Sequence, residues 1–109
     1  MAQKYIILKE ENEGLGLIAI NKSVFYAITE LSIDEVENAI RIPKTKLNKP
    51  LKVTTVDNKL DIDVDVKIKY LADVEQTCEL VQNKVFENIL NMTGFKPNEV
   101  HINVVGFEI

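Results

Sequence analysis

The 109-residue chain has no tryptophan, one cysteine and one histidine. Each scarcity removes a class of chemistry. The lone thiol, Cys78, has no partner for an internal disulfide, which fits a reducing compartment. One cysteine and one histidine fall short of the four ligands of a structural zinc site. Nucleophilic catalysis needs a base beside the nucleophile. The single candidate base, His101, sits in a strand pattern between Val100 and Ile102 and faces the opposite way, toward solvent. Gly14-Leu15-Gly16 lacks the third glycine and the strand-then-helix context of a dinucleotide loop. The expectation is a non-enzymatic protein with no catalytic residues, no cofactor and no bound metal.

Long apolar runs are also missing. The four residues Tyr5–Leu8 (YIIL) are too few for a signal-peptide core. No uncharged apolar run approaches the roughly 18 residues of a membrane span. The chain is expected to be soluble and cytoplasmic, with membrane contact only peripheral, at the inner face, or through a partner. A net charge of −4 argues against DNA and against general RNA binding, which want a basic stripe.

What is present is an ordinary globular composition, 46% apolar and 28% charged, enough to build a core in one domain over residues 1–109. The stretch KLDIDVDVKIKY, residues 59–70, is the most informative. Asp61, Asp63 and Asp65 recur at every second position, as they do at the start of a calcium loop. A calcium loop needs glycine at its sixth position and glutamate at its twelfth. Counting from Asp61, those positions hold Val66 and Ala72. The residues between the acids, Ile62, Val64, Val66, Ile68 and Tyr70, instead have the period of two of a half-buried strand. The three carboxylates then stand about 7 Å apart along its wet face.

The remaining elements follow from local signals. YIIL (5–8) and GLGLIAI (14–20) read as strands of a hairpin around a polar turn that carries Glu10, Glu11 and Glu13. Asn21 stands where a helix cap belongs, before a helix over about residues 22–36 with Val24, Ala27, Ile28 and Leu31 on one face. AIRI (39–42) is a short strand ended by Pro43. LKVTTV and the long strand form a second hairpin about Asp57-Asn58. Asp73 caps a second helix whose stripe is Val74, Cys78, Val81, Val85, Ile89 and Met92, and Gly94 ends it. VHINVVGFEI is the last strand. The fold class is α+β, a small mostly antiparallel sheet with two helices packed on it, in the order hairpin-α-β-β-β-α-β.

One charged feature stands out. Arg41, Lys44, Lys46, Lys49 and Lys52 fall in one stretch that holds no acid. Prolines 43 and 50 bracket most of it, and Leu47 is its one conspicuous apolar residue. These five cations are the candidate interaction surface. Its partners would be an acidic protein, RNA or an anionic membrane surface. A small RNA-binding α/β domain is thus the alternative function. It is opposed by the acidic net charge, the low aromatic content and the absence of a Gly-x-x-Gly clamp.

The segments LIAINKSVFYAITELSIDEVENA, LDIDVDVKIKY, VQNKV and TGFKPNEVHINVVGF, in that order, resemble the alkaline-shock-protein family of Gram-positive bacteria over about residues 14–109. Asn38 stands where that family commonly has glycine, and asparagine is the next best residue at positive φ. Tyr70-Leu71 replaces a frequent Tyr-Gly. The resemblance implies a non-enzymatic module in cell-envelope stress homeostasis. It implies a scaffold that self-associates as a homo-oligomer or binds a protein partner, such as a membrane-anchored paralogue sharing the domain. The family motif brings no catalytic or cofactor residues with it.

Overall fold

The alternation of residues 59–69 becomes the spine of the molecule. The computed structural model describes residues 5–9 and 17–109. Its elements are β1 (Tyr5–Lys9), β2 (Leu17–Asn21), α1 (Lys22–Asp34), β3 (Ala39–Arg41), β4 (Leu51–Val56), β5 (Lys59–Lys69), α2 (Val74–Thr93) and β6 (Glu99–Glu108). The order is the expected one. Glu10, Glu11, Glu13, Gly14 and Gly16 lie outside the described residues.

Along β5, Leu60, Ile62, Val64, Val66 and Ile68 are buried while the residues between them face outward. A period of two on a pleated strand allows one such face, and both helices cover it. Val81, Val85 and Ile89 of α2 and Phe25, Ile28 and Ile33 of α1 join Leu60, Ile62, Val64 and Val66 in a single core. The opposite face of the sheet carries polar side chains.

Strand β5 pairs with every other strand of its sheet. Antiparallel β3 and β4 lie end to end along one side, Ala39–Arg41 against Ile68–Val66 and Leu51–Val56 against Val64–Lys59. The Asp65 amide donates to the Pro50 carbonyl between them at 2.7 Å, so the ladder continues across the gap. β3 and β4 therefore act as one edge strand, and residues 42–50 leave it and return. On the other side β6 runs parallel to β5, the pairing that the α2 crossover requires. A register shift at Val66/Lys67 leaves Val105 without a partner on β5. β1 and β2 form a separate antiparallel hairpin, Tyr5 opposite Asn21.

The turn between β4 and β5 has Asp57 at φ 52° and Asn58 at φ 63°, the left-handed pair a two-residue hairpin prefers. The Asp73 carboxylate accepts from the Gln76 amide at 3.0 Å and caps α2. Gly94 ends it at φ 80°, its amide donating to the Leu90 carbonyl.

Several expectations are corrected. The buried face of α1 is Phe25, Ile28, Thr29, Ser32 and Ile33, whereas Val24, Ala27 and Leu31 are exposed. Two hydroxyls belong to the core because each is satisfied within the helix. Thr29 donates to the Phe25 carbonyl at 2.8 Å and Ser32 to the Ile28 carbonyl at 2.7 Å. The helix ends at Asp34, two residues short of the expected position. On α2 the buried stripe is Thr77, Val81, Val85 and Ile89, while Val74 and Met92 at its ends are exposed. Tyr70 does not continue the inward alternation, since β5 stops at Lys69.

Asn38 is not among the non-glycine residues at positive φ, which are Asp57, Asn58 and Leu71. Its carbonyl instead accepts from the Lys69 amide at 3.0 Å. Leu71 holds φ 72°, so a leucine takes the conformation that glycine would fill at least cost.

Candidate interaction surfaces

Polar atoms buried on side chains all have hydrogen-bond partners among the described residues. The five sequence candidates do not form one patch. Arg41, at the end of β3, is tied back to α1 by Nη1 to Glu30 and Nε to Asp34, both at 3.4 Å. Lys52, in β4, stands opposite Asp63 of β5 on the outer face of the sheet. Lys44, Lys46 and Lys49 are brought together with Thr45 around an open hollow of about 600 Å³.

Local hydrogen bonds shape that hollow. The Thr45 amide donates to the Asn48 carbonyl, and the Asn48 amide donates to Thr45 Oγ1, both at 2.9 Å. This reciprocal pair closes a turn with Lys46 and Leu47 at its corner. Leu47 is 101% exposed, touching nothing that would hide it. Lys44 Nζ lies 5.9 Å from the centroid of the Tyr26 ring, which steadies the base of the loop against α1.

The outer face of the sheet is polar and internally satisfied. The Asn103 amide on β6 donates to Asp63 at 2.6 Å and Asp65 at 3.2 Å, and the Asn98 amide donates to Asp61 at 3.0 Å. The aspartates thus serve as strand-to-strand acceptors. His101 is exposed and lies 2.8 Å from Glu99. That hydrogen bond, helped by the charges of Glu99, Asp63 and Asp61, raises its pKa above the ordinary 6.5. Cys78 is half-buried, and desolvation raises its thiol pKa, which dulls it as a nucleophile.

Which strand of the sheet leaves its outer edge open was not legible in the sequence. No described strand pairs with the outer side of β6, and its middle residues, Asn103–Phe107, carry no charge. Val105, Phe107 and Ile109 are more than half exposed, and Tyr70 and Leu71 stand at the same end of the sheet, where the Tyr70 amide donates to the Glu108 carbonyl.

The order of elements, the Asp-capped and Gly-terminated second helix and the parallel last strand are thus all present. The profile of the alkaline shock protein 23 family, described as having a cell envelope-related function, matches residues 10–109. The chain belongs to that family. The alkaline shock protein 23 family chain is also similar to a Bacillus subtilis (strain 168) protein named "Uncharacterized protein YqhY". The two are 25% identical over 113 aligned positions, covering 93% of this chain and 84% of that protein. No solved structure matches significantly. Family membership makes the function cell envelope-related. Among the described residues, no helix of this family member is long and apolar enough to cross a membrane.

Proposed function

We propose that this alkaline shock protein 23 family chain is a non-enzymatic interaction module serving cell-envelope homeostasis, and that it self-associates by strand addition along β6. The observation that carries this reading is the open outer edge of β6, ten residues long, with an uncharged middle and exposed Val105 and Phe107. Exposed strand edges present rows of unpaired amides and carbonyls, which natural sheets usually guard with charge, proline or shortness. β6 has neither proline nor lysine, and its length is that of a central strand. Strand addition supplies main-chain hydrogen bonds to the incoming segment, and the exposed side chains supply its selectivity. The opposite edge is interrupted by the 42–50 excursion and by Pro50, whereas β6 runs its full length with a single bulge at Val105.

Hydrogen exchange at low and high protein concentration tests this, together with sedimentation of the variants Val105→Lys and Phe107→Lys. The outward amides of β6 should gain protection as the chain associates. The lysine variants should stay monomeric with an unchanged melting temperature. Association with β6 amides still exchanging freely would overturn the reading, and protection gained only when a different family member is added would transfer it to that partner.

A further inference from the structure

We propose that the turn at residues 44–49 is a docking point for an anionic lipid surface, with Leu47 entering the headgroup layer and Lys44, Lys46 and Lys49 pairing with headgroup phosphates. This goes beyond strand addition and uses the other edge of the sheet.

Three observations converge on the same few residues. Leu47 is fully solvent-exposed, yet it is held at the corner of a turn by the two Thr45–Asn48 hydrogen bonds. A flexible tip would scatter such a side chain, whereas this one is presented. The three lysines flank it on both sides in sequence and share the hollow beside Thr45. The stretch from Arg41 to Lys52 also contains five of the thirteen basic residues and none of the seventeen acids. The rest of the chain is correspondingly acidic, and an anionic surface would repel it and attract only this loop.

The arrangement suits a bilayer better than other polyanions. A membrane interface accepts an apolar side chain beneath a layer of anionic groups, which is the layout found here. A nucleic acid would ask for aromatic side chains on which bases stack, and residues 42–50 contain none. Lys44 and Arg41 brace the excursion, one over the Tyr26 ring and the other through Glu30 and Asp34. The turn therefore meets a surface with little left to order. Basic residues near an anionic leaflet each strengthen partitioning by about fivefold at low ionic strength. Three lysines and one leucine give reversible, salt-sensitive contact, well short of a permanent anchor.

The absence of tryptophan provides the probe. In the full chain, Leu47→Trp places a single indole at the apex, and its emission should shift to the blue on mixing with vesicles of phosphatidylcholine containing phosphatidylglycerol. Pure phosphatidylcholine vesicles should leave it unshifted. Lys44→Gln, Lys46→Gln and Lys49→Gln together should weaken cosedimentation with the anionic vesicles by more than about tenfold. Raised salt should do the same to the wild type. Phe107→Lys, at the strand-addition edge, should bind vesicles like the wild type, which separates failure here from failure of the β6 reading. Circular dichroism establishes that each variant is folded. Unshifted emission with anionic vesicles, or full binding by the folded triple variant, would overturn the proposal. So would binding displaced by an acidic protein or RNA with no vesicle binding of its own.

Discussion

Asn88 on α2 donates to the fully buried Ser32 hydroxyl on α1 at 2.9 Å, joining the two helices. The same amide donates to Glu35 at 2.8 Å. The Ser32 hydroxyl in turn donates to the Ile28 carbonyl, so the serine oxygen is donor and acceptor at once. The helices are therefore held by packing and by this polar link of defined geometry.

That link has a measurable weight. Asn88→Ala removes the donor and leaves Ser32 its bond to Ile28, so a loss of about 1 kcal/mol is expected. In a domain of this size that lowers the melting temperature by several degrees. Ser32→Ala should cost a similar amount, and the double variant less than the sum. Additive losses would show that the two residues do not interact in solution.

Leu71 and Gly94 should respond in opposite directions to exchange. Leu71 is 88% exposed at φ 72°, so Leu71→Gly removes backbone strain and little packing. A gain of roughly 0.5–1 kcal/mol is expected, after allowing for the greater freedom of glycine in the unfolded chain. At Gly94, φ 80°, an added Cβ would meet nothing within 4 Å, so any cost is conformational. Gly94→Val should lose about 1 kcal/mol or more. Thermal melts of both variants decide the matter, and equal signs would contradict the assigned backbone.

His101 gives a clean titration because it is the only histidine. Its pKa is raised by Glu99 and the neighbouring aspartates. The folded state thus favours the protonated ring. Any contribution to stability is complete below the unfolded pKa and disappears as pH rises through the folded one. The imidazole resonances should titrate above 6.5 in the wild type and lower in Glu99→Gln. An unaltered midpoint in that variant would remove Glu99 as the cause.

The loop cations should separate by role. Exchanging Lys44, Lys46 and Lys49 for glutamine should change stability by less than about 0.5 kcal/mol, as expected of exposed residues away from the core. Arg41→Gln breaks two half-exposed ion pairs and should cost up to about 1 kcal/mol, reduced by salt. A triple lysine variant that melts early would make the turn part of the fold.

Where one residue type maps to one environment, the sequence was readable. The alternation from Leu60 to Ile68, the Asp73 cap, the Gly94 stop and the Asp57-Asn58 turn all have local causes, and each stands where its local signal puts it. Helix α1 was misread because Thr29 and Ser32 count as polar in any periodicity, although their hydroxyls are satisfied by carbonyls four residues back. Val24 and Leu31 looked like core, but they lie off the face that Phe25, Ile28 and Ile33 bury and stand exposed. The basic loop was visible as composition. That Arg41 leaves it for Glu30 and Asp34, and that Lys52 crosses to the outer face, depends on strand register, which composition does not carry. The open side of β6 is a property of the whole sheet and has no local signature.

Since β3 and β4 continue one another along β5, residues 42–50 are an insertion into an edge strand whose pairing resumes unchanged beyond it. Lengthening such an excursion costs little, about 0.6 kcal/mol for each doubling. Between Pro43 and Lys49 every residue is exposed, so the composition there is also uncoupled from the hydrophobic core. Selection is thus free to rewrite this segment, residue by residue, while the scaffold beneath stays constant. Relatives with the same fold would then differ most in which surfaces they meet, and this turn is where that divergence would accumulate.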